Sequence, residues 1–312
     1  MLEFPTFRNA AIVKVFALIV GVFAASPAPG VAPAAESGAD VVETVTAGPS
    51  FTRRPRWEFG VGGGYVAGQD YPASSDPNSR SLALPFFIYR SAVFRVGGGG
   101  VRAVAIERPR VRLDLSVGGS LSASSEDNGS RAGMPDLDFL FELGPQLEVS
   151  LIDRPAGSGG RLQVEFATKL RAVVSTDFRG VRAQGFVAEA GVDVARRRVL
   201  GSRLDLVAGF DVTFADERLQ DYFYEVDPAF ATPARAAHDA RAGYLGSELS
   251  LGVAIRARRD VRVFAGARTG LYAGAANEDS PLFETTSSTG VALGIVWTIA
   301  RSERLIDVIE VD

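Results

Sequence analysis

Apolar and polar residues alternate along most of the chain. From Val111 to Leu121, Val111, Leu113, Leu115, Val117 and Leu121 fall on one side, and Arg112, Asp114, Ser116, Gly118 and Ser120 on the other. Period-two alternation marks a strand with one apolar and one polar face. The pattern returns at Phe139, Phe141, Leu143, Leu147, Val149 and Leu151, opposed by Glu142, Gly144, Gln146, Glu148 and Ser150. It returns again around Glu165, Lys169 and Arg171, around Glu189 and Asp193, around Asp205 and Asp211, and around Glu248 and Arg256. A last stretch sets Val291, Leu293, Ile295, Trp297 and Ile299 against Ala292, Gly294, Val296 and Thr298.

A soluble β-sandwich alternates too, so length and face chemistry decide. Globular strands usually run about 5–6 residues, and a tilted membrane-spanning strand needs about 9–11. Most stretches here exceed ten residues, over 57–66, 81–90, 93–106, 109–123, 139–152, 161–175, 182–197, 202–214, 243–257, 261–273 and 288–300. Their polar faces carry Gly, Ser and charges of both signs, which suits a narrow polar lumen. No helical period of useful length is read beyond the N-terminal region. The fold class expected is all-β, a transmembrane antiparallel up-and-down β-barrel. Eleven segments conflict with the even strand number of bacterial barrels. The Gly97–Gly100 run offers the resolution, because it can split 93–106 in two. About twelve strands are expected, with ten as the fallback.

The N-terminus reads as an address. Arg8 and Lys14 precede an apolar run from Val15 to Ala25, and Ala32-Pro33-Ala34 provides small residues for cleavage. This is the layout of a secretory signal peptide, placed at 1–35. A flexible periplasmic leader over 36–55, the barrel over 56–300 and a C-terminal tail over 301–312 follow. The tail carries Leu305, Ile306, Val308 and Ile309 among acidic residues, and offers a contact beyond the short turns.

Composition removes whole classes of chemistry. There is no Cys, hence no disulfide framework and no thiol nucleophile. A single His excludes His-rich metal sites. A net charge of -4 leaves no basic footprint for nucleic acid. A helical membrane protein would need apolar runs of about 18 residues, which the body of the chain lacks.

The remaining candidates are the lumen-side charges: Arg112, Asp114, Glu142, Glu148, Glu165, Lys169, Arg171, Glu189, Asp193, Asp205, Asp211, Glu248 and Arg256. They read either as a selectivity lining or as a paired plug, since side chains can fill much of a barrel of about 10–12 strands. His238-Asp239 with Ser247 or Ser250 would make a hydrolase only if nucleophile, base and acid met within hydrogen-bond reach. The loop position of His238 argues for a solvated residue instead. Gly62-Gly63-Gly64 and Gly97–Gly100 lack the helix and Lys of a phosphate loop. Asp127-Asn128-Gly129 and Glu278-Asp279 read as solvated tips, because hard cations need about six or more oxygens. Trp57, Tyr65, Tyr89, Tyr244, Tyr272 and Trp297 fit aromatic girdles at the bilayer interfaces. No catalytic, cofactor-binding or metal-binding residue is expected.

The loops carry a family resemblance. Phe59-Gly60-Val61-Gly62-Gly63-Gly64-Tyr65 precedes Tyr71-Pro72-Ala73-Ser74-Ser75-Asp76 and then Leu84-Pro85-Phe86-Phe87-Ile88-Tyr89-Arg90. Gly133-Met134-Pro135-Asp136-Leu137-Asp138, then Tyr222-Phe223-Tyr224 with Pro228, then Asp279-Ser280-Pro281 complete a set that resembles the MipA/OmpV family (MltA-interacting protein) over residues 56–300. Ala73 stands where that family usually has Gly. The last strand, with Val296-Trp297-Thr298-Ile299, is followed by a tail rather than ending on an aromatic residue. The resemblance implies a non-enzymatic barrel in the cell outer membrane, in contact with outer-membrane lipid. It also implies a scaffold role for murein-remodelling enzymes, a periplasmic lytic transglycosylase and a penicillin-binding synthase. A porin-like channel for small solutes is the alternative; an outer-membrane hydrolase or adhesin is further off.

Overall fold

The computed structural model describes residues 50–90, 94–97, 100–103, 106–108, 110–120, 123–126, 129–199 and 203–310. The expected signal peptide, most of the leader, and Gly98, Gly99, Leu121, Asp127 and Asn128 lie outside the described residues. The strands are β1 (Ser50–Pro55), β2 (Trp57–Gln69), β3 (Pro77–Arg90), β4 (Phe94–Gly97), β5 (Gly100–Ala103), β6 (Ile106–Arg108), β7 (Val111–Ser120) and β8 (Phe139–Pro155). They continue as β9 (Arg161–Thr176), β10 (Val181–Arg197), β11 (Leu204–Ala215), β12 (Gly243–Arg256), β13 (Val261–Leu271), β14 (Ser287–Arg301) and β15 (Leu305–Glu310). An α-helix, α1 (Glu217–Tyr224), and a short 3-10 turn, Pro228–Phe230, lie between β11 and β12.

Strands β2 to β14 form one 13-stranded antiparallel sheet in the order β5-β4-β3-β2-β14-β13-β12-β11-β10-β9-β8-β7-β6. β14 returns to β2, with Val291 opposite Ala67 and Arg301 opposite Glu58. β5 also runs beside β7, which brings the two ends of the sheet together. Ten of the strands are ten residues or longer. The interval 93–106 splits as its glycines suggested, Gly97 facing Gly100 across the β4–β5 turn. With β6 as a third short segment, the fallback of ten describes the long strands better than an even twelve.

The burial pattern is the reverse of a water-soluble protein's. Along β8, Glu142 is 6% exposed and its neighbour Leu143 52%. Phe210, Leu251, Leu293 and Ile295 are likewise exposed, and Asp114, Arg171 and Glu189 are buried. A continuous apolar belt of this kind is stable only against lipid. There each such side chain gains about 1.5–3 kcal/mol from leaving water.

The connections separate by length. Those between β8 and β9, β10 and β11, and β12 and β13 are short and share an end with both termini. The connections after β2, β7, β9, β11 and β13 reach the opposite end, and three of these five are long. Barrels of this kind keep short turns in the periplasm and long loops outside. At the periplasmic end β1 pairs with β15, from Ser50 opposite Glu310 to Pro55 opposite Leu305. The end of the leader, read as flexible, thus pairs with the tail in one two-stranded ribbon.

Candidate functional site

The outer loops are not the solvated segments expected. They fold together into a cap with its own apolar core: Tyr71, Leu137, Leu219, Phe223, Tyr224, Val226 and Leu282 are all buried. Met134, Tyr222 and Phe283 pack against this core. The helix α1, missed by the periodicity reading, supplies Leu219 and Phe223 on one face, and Asp216 caps it by accepting from the Leu219 amide. An Asp followed by apolar residues at i and i+4 is a legible helix start, but eight residues are too few to carry a visible period.

The loop residues singled out by resemblance converge here. Tyr71 donates from its hydroxyl to the Leu282 carbonyl at 2.9 Å, and Tyr224 donates to the Pro72 carbonyl at 2.9 Å. Ser280 Oγ donates to the Tyr224 carbonyl at 2.7 Å, next to Pro281. Ser74 Oγ donates to Glu284, and Asp76 accepts from the Gly129 amide. Asp136 accepts from the Ser125 amide, and the Pro135 carbonyl accepts from the Ser125 hydroxyl. Gly133 takes a positive φ of 79° in the turn before Met134. Asp279 pairs with Arg241 at 2.7 Å. Arg131, buried, donates to the Phe223 and Pro135 carbonyls and sits 5.8 Å over the Tyr71 ring. Burial pushes the Tyr71 hydroxyl up to about 12, so it stays a donor at any physiological pH.

Below the cap the lumen wall is lined by ion pairs between neighbouring strands. Arg171 bridges two strands, its Nε 2.8 Å from Glu142 and its Nη2 3.0 Å from Glu189. Lys169 joins the same Glu189. Arg112 reaches Asp114 on its own strand and Glu148 across the β7–β8 pair. On the far wall Glu248 meets Arg268 at 3.0 Å, a partner the sequence reading did not single out. Asp193 and Asp211 fit because Gly209 and Gly191 lie beside them. A Cβ on Gly191 would stand 2.2 Å from Asp211, and one on Gly209 2.7 Å from Asp193. Glu165 faces Asp193 in register. Asp205 lies toward the periplasmic mouth with Arg197, and Arg256 lies near it at the end of β12. A cavity of about 120 Å³ separates cap and charges, with Tyr71, Leu219 and Phe223 above and Glu142, Glu248 and Arg268 below.

The other candidates fall differently. His238 is tied into the cap by backbone pairing with Val226, and its Nε2 is 3.4 Å from Asn277. Ser247 is bonded to Tyr244, and Ser250 points at the Gly209 carbonyl, so the three residues form no triad. Among the described residues no cluster of metal-ligating side chains occurs. Trp297 is exposed at the periplasmic interface and donates to Asp260; Trp57 stacks on Phe87. Tyr65 faces outward, and Tyr244 packs on Phe214. Tyr272 is the exception among the expected girdle residues whose side chains are described; that of Tyr89 lies outside them. It turns inward, lines the cavity and bonds Ser288, because its strand has ended and the loop bends over the mouth.

An inside-out antiparallel barrel with an ion-paired lumen and a folded outer cap is an outer-membrane β-barrel protein. The family model described as MltA-interacting protein MipA matches residues 61–299. The chain belongs to that family. No curated protein matches the sequence. Among solved structures it is similar to a Pseudomonas aeruginosa FadL homologue, with 9% identity, TM-score 0.35, and coverage of 78% of this chain and 91% of that one. It is also similar to the Pseudomonas putida toluene transporter TodX, with 10% identity, TM-score 0.31, and coverage of 78% and 89%. A third is outer membrane phospholipase A from Escherichia coli, with 10% identity, TM-score 0.30, and coverage of 77% and 92%. Likeness at this level says nothing about function.

Proposed function

We propose that this protein is a non-enzymatic scaffold of the outer membrane that gathers murein-remodelling enzymes, a lytic transglycosylase and a penicillin-binding synthase, at its periplasmic face. The observation that carries the reading is the closure of the outer mouth: a cap with an apolar core lies over a lumen whose wall charges are paired between neighbouring strands. A closed barrel acts through its surfaces. The family's description as a MltA-interacting protein supports a transglycosylase as one partner. The β1–β15 ribbon offers that partner an ordered strand pair beyond the short turns. The test is retention of a purified lytic transglycosylase on the refolded, immobilised barrel. Retention that falls when residues 302–312 are deleted supports the scaffold and assigns its contact; no retention by folded protein removes the reading.

The cavity under the cap favours one rival, a channel for small solutes whose cap moves aside. Discrete conductance steps from the unmodified protein in a planar bilayer would put that rival first.

A further inference from the structure

The net charge of -4 hides a strong separation along the barrel axis. Exposed arginines lie in or beside each described short connection at the periplasmic end. Arg110 precedes β7, Arg154 closes β8, Arg198 and Arg203 flank the turn before β11, and Arg258 and Arg259 make the turn before β13. None of these six guanidinium groups has an acidic partner among the described residues. The acids nearby are already engaged: Asp153 by Arg161, Asp205 by Arg197, and Asp260 by the Trp297 indole. Glu303 is exposed there, and Arg304 beside it offsets it. At the outer end the exposed charge is mostly acidic, with Asp177, Glu217, Asp227, Asp239, Glu278 and Glu284.

We propose that this ring of arginines binds the peptidoglycan sheet directly, through the free carboxylates of its stem peptides. A guanidinium presents a planar fork that pairs with a carboxylate in two parallel hydrogen bonds. The arginines are spread around a rim, one or two to a connection. A folded protein epitope needs a shaped patch. A flat polymer with a repeating carboxylate satisfies scattered charges without one. Lipid headgroups of the inner leaflet are reached instead from outward-facing strand ends. Arg301 occupies such a position, continuing the outward series Ile295, Trp297 and Ile299. Arg154 shares that outward face, opposite Leu162, and the other five arginines lie in or beside the turns. The inference adds a ligand to the scaffold reading and is tested without any enzyme present, so either can fail alone.

The experiment is co-sedimentation of the refolded mature protein, in phosphatidylcholine nanodiscs, with purified sacculi. Wild type pellets at low salt and is released as salt rises past the screening range. Arg110→Gln, Arg203→Gln, Arg258→Gln and Arg259→Gln combined weaken binding by about tenfold, as loss of steering charges does. Folding of that variant is checked by its heat-dependent gel shift. A second arm needs no variant: sacculi whose carboxylates have been amidated no longer retain the wild type. Equal retention on amidated sacculi overturns the proposal. So does capture by phosphatidylglycerol vesicles without sedimentation on sacculi, which assigns the arginines to lipid.

Discussion

The hydroxyl of Tyr224 donates to the carbonyl of Pro72, 2.9 Å away and 152 residues earlier in the chain. The Tyr224 ring meets Tyr71 edge-on at 6.4 Å, and Tyr71 in turn holds Leu282. Three outer loops are thereby joined through two phenols. Tyr224→Phe leaves a buried carbonyl unsatisfied, at a cost of about 1–3 kcal/mol. Exchange of the cap amides accelerates by at least about fivefold, and the heat-dependent gel shift of the barrel is unchanged.

Ala73 holds φ 60° with no exposed surface, at the position where the resemblance expects Gly. The left-handed conformation costs an L-residue roughly 1–2 kcal/mol, and the buried methyl returns about 0.8 kcal/mol. Ala73→Gly therefore changes cap stability by less than about 1 kcal/mol. Ala73→Val, β-branched in a filled site, loosens the cap by more than about 2 kcal/mol. Amide exchange at Glu284 and Thr285, which both donate to the Ala73 carbonyl, reads the difference.

Arg171 is the cation shared by Glu142 and Glu189. Arg171→Met leaves buried carboxylates facing each other. Breaking a buried pair in this way costs about 3–5 kcal/mol. The urea midpoint of the detergent-refolded barrel falls accordingly, and restoring neutrality with Glu142→Gln recovers part of the loss.

If the cap is the outer seal, replacing 217–241 by a short Gly-Ser turn unseats α1 and exposes the cavity. The unmodified protein stays silent in a planar bilayer. The deletion gives small steps, and adding Arg171→Met enlarges them. A deletion as silent as the parent would mean that the lumen charges alone close the pore.

Asp221 on α1 has one buried carboxylate oxygen with no hydrogen-bond partner. Burial, with Glu225, Glu217, Asp239 and Asp216 around it, raises it from 3.8 to about 6. The folded cap thus binds a proton more readily than the open loop does. Its stability rises as pH falls from above 6 toward 4, and is lost again as pH climbs through 6. Exchange of the α1 amides, corrected for intrinsic rates, slows on acidification. Asp221→Asn removes that pH dependence.

Strand positions were legible because the bilayer imposes a strict two-residue period. β8, β9 and β14 begin within a residue of where alternation placed them, and Glu142, Glu148, Arg171 and Glu189 are buried. The partners of these charges were less legible. Arg268 meets Glu248 through a register that a single strand's pattern does not encode. The cap was the least legible part. Its core joins Tyr71, Leu137, Tyr224 and Leu282, drawn from short apolar stretches in four separate loops, and only the closed barrel brings those stretches together. The ribbon at the other end escaped for a similar reason, since Ser50–Pro55 finds its partner at Leu305–Glu310.

The contact from Tyr71 to Leu282 spans 211 residues of sequence. It forms only once β2 and β14 are neighbours, that is, once the last strand has found the first. The cap is therefore a latch on a finished product. A barrel stalled with its seam open keeps the Tyr71, Leu219 and Leu282 segments unpacked, and presents to the periplasm the greasy, unstructured tract that quality-control proteases degrade.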